Sequence, residues 1–410
     1  MPIEALERWI LGRFPEINTE LENYYYDRAV SGVPHTAEVQ SRIAELYQEL
    51  TTTGEQLAQE INEHSDLPDE FDDLYELLGN VGFFMAACRR HGLAGPDENN
   101  TSTLPASSKL ATLLGASINV APRFTASHLA AHNRASNGRY RSFTHLHDEF
   151  VFLDGNTRGV FAYKRAAEAL QNILPLGVSH PVIYDLLVDA KEALSDVLRH
   201  NEQLFEELDV ARFFYNVRPY YKPYYVGKVE YRGANAGDFS GINEIDMLLG
   251  LASAKDPFFL QQLIDKNLYI VPADQDKLHR TMRKRSLLDQ FLDEMPGQES
   301  SPWLQKNARI FLEVCEAHGK TASYHHDKLV EKFIEVPAAK LPEFELQDLT
   351  ASGPPLPVLL RAREKIRDRR RAADRTDIAT RFADLQRLRA ALNKRRERIC
   401  RLTPPLYPAR

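Results

Sequence analysis

Cysteine is scarce: the 410-residue chain has three, Cys88, Cys315 and Cys400, far apart and with no Cys-x-x-Cys pair. That spacing supports neither a disulfide framework nor a thiolate zinc site, and it favours a reducing compartment. Long apolar runs are missing too, since none approaches the roughly 18 residues a membrane helix needs. The first residues, MPIEALERWILGRF, carry acids and lack the apolar stretch of a secretory signal. The expectation is a cytoplasmic chain with no membrane partner. Positive charge is not in excess: the formal net charge is -7, which gives no general pull toward nucleic acid. There is no Gly-x-Gly-x-x-Gly phosphate loop, no internal repeat and little β-type alternation. What is present is an ordinary globular composition, 43% hydrophobic, in a length that suits one large domain and one smaller.

Helical periodicity fills most of the chain, so the expected fold class is all-α. Ile43, Leu46, Leu50, Leu57 and Ile61 repeat near a helical period, as do Ile183, Leu186, Leu187, Ala190, Leu194, Val197 and Leu198. Residues 95–109, GPDENNTSTLPASSK, are rich in turn formers. They mark a boundary between a small helical N-terminal domain, 1–109, and a main domain, 110–358. Asp154-Gly155-Asn156 reads as a turn, with a helix over 158–174 after it. Further helices are expected over 257–265, 275–293, 303–319 and 325–336. The tail, 359–410, is a charge-dense helical stretch with basic clusters at 369–371 and 394–396 and one apolar stripe, Leu385, Leu388 and Leu392. A solvated helix packing by that stripe is the ordinary reading of such a pattern; a basic patch for an anionic partner is the other.

Residues 212–251, RFFYNVRPYYKPYYVGKVEYRGANAGDFSGINEIDMLLGL, are the most informative. Phe213, Phe214 and Arg218 open the stretch. Arginine is the usual fork for a carboxylate, and aromatics beside it suit a planar ring. Gly233, Ala234, Asn235, Ala236 and Gly237 then form a loop of small residues that lets backbone approach a flat object. An amphipathic helix with Ile242, Ile245, Leu248 and Leu249 closes it. This order of parts resembles the indoleamine 2,3-dioxygenase family, and more closely a relative of it, the monodechloroaminopyrrolnitrin synthase family. The resemblance covers about residues 110–360. It implies a large helical haem-binding domain, haem b and O2 as cofactors, and an amino-acid substrate, tryptophan or a chlorinated tryptophan. It implies an oxygenase of the cleaving or ring-rearranging kind, and an electron donor as a possible partner; the oligomeric state stays open.

A haem needs an axial ligand, most often histidine in oxygen-handling proteins. Residues 321–337, TASYHHDKLVEKFIEVP, supply His325 and His326. Three, four, seven and eight positions beyond His326 stand Leu329, Val330, Phe333 and Ile334, which centres His326 on an apolar helix face. The equivalents from His325 include Lys328 and Lys332, which puts it to one side. The segment also resembles the family's proximal-histidine helix. Anchored on Val336-Pro337-Ala338 the match falls on His326, and anchored on Ser323-Tyr324 it falls on His325, because one extra residue lies between. His326 is the expected ligand and His325 the alternate.

By the same resemblance, Phe213, Phe214 and Arg218 line the substrate side, and the 233–237 loop runs close to the haem edge with Asn235 and Ala236 nearest the substrate. Val160 and Lys164 fall where the dioxygenases carry a phenylalanine and a serine, and Ser352 lies in a loop that keeps a hydroxyl able to bond the substrate amine. Both departures favour the pyrrolnitrin-type branch. Two rival classes are a non-haem metal enzyme and a non-catalytic haem- or ligand-binding protein. The first would use His128 with His132, or His145 and His147 with Asp148 and Glu149; no His-Glu-x-x-His context supports it.

Overall fold

The computed structural model describes residues 1–133, 140–295, 301–338 and 356–402. The chain opens with α1 (Pro2–Leu11), α2 (Arg13–Ser31), α3 (Ala37–His64), α4 (Phe71–Arg90), α5 (Pro105–Ser117) and the single turn α6 (Ala126–Leu129). Two long helices follow, α7 (His147–Ile173) and α8 (Ile183–Glu207), then the turn α9 (Val210–Arg212). A π-helix, Phe213–Val217, runs into a 3-10 turn, Arg218–Tyr221, and a hairpin of β1 (Tyr224–Val226) and β2 (Val229–Tyr231). Next come α10 (Gly241–Leu248), α11 (Pro257–Asn267), α12 (Pro272–Thr281), α13 (Leu287–Glu294) and α14 (Pro302–Tyr324). A second π-helix, His325–Glu335, continues α14 without a break into the turn α15 (Val336–Ala338). The last elements are α16 (Leu356–Arg370) and α17 (Phe382–Leu402).

The all-α expectation holds, with one hairpin as the only strands among the described residues. Its register pairs Tyr224 with Tyr231 and Val226 with Val229. Gly227 makes the turn at φ 59, a conformation that costs other residues a Cβ clash. Local signals explain where helices begin. Ser301 accepts the Leu304 N–H at 3.2 Å and Pro302 supplies a preset first residue, so α14 starts there.

Two hydrophobic cores organise the packing. The first gathers α1 to α5 around Phe14, Leu50, Phe83 and Phe84. It runs on past residue 109 through Leu110, Phe124 and Phe143 to Val217 and Tyr220. The second joins α7, α8, α10, α13, α14 and α17 around Leu170, Leu194, Leu248, Phe291 and Phe311. α14 belongs to this second core, but its π-helical continuation returns Phe333 to the first. The second π-helix therefore lies where the cores meet.

Three expectations need correction. Asp154-Gly155-Asn156 is not a turn but lies inside α7. Gly155 is there for close packing: a Cβ would stand 3.2 Å from Leu204 Cδ1 on α8. The helix expected over 275–293 is two helices, α12 and α13, with Ser286 capping the second. The tail is two helices rather than one: it packs by the Leu385, Leu388 and Leu392 stripe as expected, but residues 371–381 break it, and Asp368 and Arg369 are buried rather than solvated.

Candidate functional site

Phe213 and Phe214 sit on the first π-helix, and both are buried. π-helical segments widen the turn by one residue and occur often at functional sites. This one is anchored from two sides. The Asn216 side-chain amide donates to Glu22 Oε2 at 2.8 Å, and Arg90 donates both to Glu22 Oε1 at 2.7 Å and to the Tyr215 carbonyl at 2.8 Å. Arg218 follows at the start of the 3-10 turn, 8% exposed, its guanidinium 5.6 Å from the Phe214 ring centre. Among the described residues it has neither a carboxylate nor a hydrogen-bond partner. Burial pushes its pKa down to about 10, and the charge of Arg363 adds to that. At neutral pH it is still a cation. A buried, unpaired cation is costly to keep unless a ligand supplies the missing anion.

The histidine pair sits at the start of the second π-helix. A π-helix is how a helix absorbs one extra residue, which accounts for the two anchors giving different matches. It also changes the period: Val330 and Phe333 are buried, while Leu329 and Ile334 are half-buried. The α-helical period that centred His326 among four apolar neighbours is therefore not the one the backbone adopts. Hydrogen bonding separates the two imidazoles instead. Arg363 Nη1 donates to His325 Nε2 at 3.3 Å. His326 is half-buried, its Nδ1 is buried without a partner, and neither ring nitrogen is engaged among the described residues. His325 is exposed, yet burial by surrounding protein, with the charges of Arg363 and Arg370, holds its pKa down at about 3.

Other observations place open space nearby. Gly159 is buried in α7, but a Cβ built on it would meet no atom within 4 Å. At Gly237 a Cβ would meet only Asn235 Oδ1, at 3.8 Å, so the protein's own packing does not demand glycine there. The loop around it is shaped by Asp238, which pairs with Arg232 at 2.9 Å and accepts the Asn235 N–H at 2.9 Å. Ala234 is buried, and Ala236 lines a small cavity of about 10 Å³ with Leu129, Phe152 and Tyr221. Phe152 lies 5.0 Å from Phe213, and Phe213 lies 5.8 Å from Phe333. These two contacts link the loop to the π-helix that bears His326. A larger open groove of about 1150 Å³, around Arg165, Asp196 and Arg199 on α7 and α8, contains none of the expected site residues.

The remaining expected residues are placed as follows. Val160 is buried in α7, beside Gly159. Lys164 pairs with Asp274 on α12 at 3.3 Å. Ser352 lies outside the described residues. Of the rival metal histidines, His145 and His147 are exposed, and His128 and His132 are held by structural bonds. His128 Nδ1 accepts the Thr125 N–H at 2.9 Å and its Nε2–H donates to the Tyr75 carbonyl at 2.9 Å, while His132 Nδ1 meets Ser127 Oγ at 2.6 Å. Glu149 accepts two backbone N–H groups and the Thr144 hydroxyl, although burial pushes its carboxyl up to about 7. No group of three metal-binding side chains occurs among the described residues.

Sequence reasoning missed a buried network next to the histidine pair. Asp246 of α10 accepts from His318 Nε2 at 2.7 Å and, through both oxygens, from Arg370 at 2.8 Å. Burial opposes its ionisation, but Arg370 and the His318 bond outweigh that and hold it well below the usual carboxylate range. A lone acid in the apolar run Ile245 to Leu249 was the available signal. Arg363 on α16 was missed too, hidden in a helix that is polar on all sides.

An all-helical frame in which, among the described residues, one imidazole and one buried guanidinium are unpaired fits the class of helical enzymes that hold a flat iron cofactor and an anionic small molecule. The chain matches the family model of monodechloroaminopyrrolnitrin synthase PrnB over residues 2–392, and it belongs to that family. The family consists of haem-dependent, tryptophan-modifying oxygenases of pyrrolnitrin biosynthesis, so haem b and O2 are the cofactors and the substrate is a small molecule of the amino-acid class. No helix among the described residues is long and apolar enough to cross a membrane.

Proposed function

We propose that this chain binds tryptophan or a ring-substituted tryptophan, such as a chlorinated one, and oxidises its indole with O2 at a haem held by His326. The observation that carries this reading is Arg218, a buried cation with no acid beside it among the described residues. Its fork matches an amino-acid carboxylate through two charge-assisted hydrogen bonds. Phe213 and Phe214 flank it and present apolar faces suited to an indole. Asn235 and Ala236 close the side facing the small-residue loop, with Gly233, Ala234 and Gly237 leaving backbone room for the cofactor edge. Among the described residues, the imidazole of His326 is the one in the 325–326 pair with both nitrogens unclaimed, which suits axial ligation. Haem supplies activation of O2 toward the electron-rich indole C2=C3 edge; the protein supplies orientation and a dry pocket. Val160 belongs to the wall opposite the histidine helix, and Ser352 is a proposed partner of the substrate amine. A cellular reductant is a proposed partner, because this chemistry starts from ferrous iron.

Reconstitution with haem tests the reading. The ferric protein is expected to show a Soret band that shifts with tryptophan and chlorotryptophan and less with tyrosine. His326→Ala is expected to lose most bound haem or change its coordination spectrum, while His325→Ala keeps both. The reverse pattern would move the ligand to His325, and a native protein without a Soret band would sink the proposal.

A further inference from the structure

Arg363, half-buried, stands out among the charged groups that the functional reading leaves unused. It projects from α16, a helix of the basic tail, and its only hydrogen-bond partner among the described residues is the neutral His325 ring, at 3.3 Å. Two neighbours make its position unusual. Arg370, two turns along the same face, is neutralised by both oxygens of Asp246. Arg367 is neutralised by Asp368 and Asp327. Among the described residues Arg363 has no such acid, and its charge adds to the burial that lowers the Arg218 pKa. Burial and the charge of Arg370 push its own pKa down as well. Two guanidinium groups, one buried and one half-buried, thus feel each other's charge with no carboxylate on either among the described residues. An anion bound between them would offset the cost of that arrangement.

We propose that Arg363 is a second carboxylate-binding residue of this site, acting beside Arg218. It rests on the haem and amino-acid reading above, which offers two sources of that carboxylate: a haem propionate and the substrate carboxyl group. The same guanidinium chemistry serves either, so the test separates them.

Binding is measured for Arg363→Gln, Arg363→Lys and the native chain, using ferric haem against haem dimethyl ester and tryptophan against tryptamine. Arg363→Gln is expected to weaken the carboxylate-bearing member of one pair by roughly tenfold or more, as for a lost charge-assisted bond, and to leave its neutral analogue unchanged. A loss confined to haem assigns the propionate, and a loss confined to tryptophan assigns the substrate. Arg363→Lys is expected to recover part of the preference. Equal weakening of both members of each pair, or no weakening, overturns the proposal. Should the Gln variant not fold, Arg218→Gln on its own gives the answer: a remaining preference for the carboxylate forms supports Arg363, and its disappearance overturns it. Failure of the native chain to take up haem would sink the functional reading alone, because the tryptophan and tryptamine arm reads Arg363 without haem.

Discussion

His318 and His325 lie about two turns apart on one continuous helix, and each meets an arginine of α16. His318 and Arg370 share Asp246, and in that buried network the Arg370 and Asp246 charges offset each other while burial favours the neutral His318 ring. Among the described residues His325 and Arg363 have no acid between them, nor does Arg218. The first cluster is internally balanced and holds α10, α14 and α16 together. The second carries positive charge that no described residue offsets. The contrast shows that arginines of one helix are structural or ligand-binding according to whether the fold also brings up a carboxylate.

Breaking the balanced cluster has the largest expected effect. Asp246→Asn leaves Arg370 buried without its partner and is expected to cost about 3–5 kcal/mol of stability, read by denaturant unfolding. Arg218→Gln is the mirror experiment. It removes a cation that nothing offsets, so stability stays level or rises, while amino-acid affinity falls by about 2–5 kcal/mol. If Arg218→Gln unfolded the protein as readily as Asp246→Asn, the distinction between the two clusters would be lost.

A pH series sharpens the structural side. His91 donates from Nε2 to Asn18 Oδ1 and accepts the Tyr25 hydroxyl on Nδ1; His128 is likewise bonded as the neutral ring. Burial holds His91 well below its ordinary value and His128 at about 3. Both are depressed relative to the unfolded chain, so below about pH 6.5 the unfolded state binds more protons and stability falls as pH falls. Each contributes a slope of about 1.4 kcal/mol per pH unit between its two pKa values. Equal urea midpoints at pH 7 and pH 5 would contradict it. The smallest effect is at Gly159. With no atom near its Cβ position, Gly159→Ala is expected to stabilise α7 by up to about 1 kcal/mol through helix propensity, and to weaken ligand binding if the space it enters is the ligand's. A lower melting temperature would mean that the space is already filled.

Much of this was legible before the fold. The helices were, because apolar residues recur at helical spacing, and so were the candidate pocket residues Phe213, Phe214 and Arg218 and the 233–237 loop, because their residue types are uncommon together. The turn at Asp154 was misread because a glycine demanded by Leu204 on another helix looks, in one dimension, like a glycine demanded by a turn. Arg363 could not be found at all, since nothing in LLRAREKIRDRR distinguishes the arginine without an acid from those that have one.

The sequence by itself determined the helical class, the aromatic-arginine segment and the presence of two adjacent histidines, all of which depend on neighbours a few residues apart. Only the tertiary structure decided which histidine keeps its nitrogens free and which arginines lack a counter-ion. Desolvation and charge pairing depend on groups brought together from distant parts of the chain, and local spacing carries no record of them.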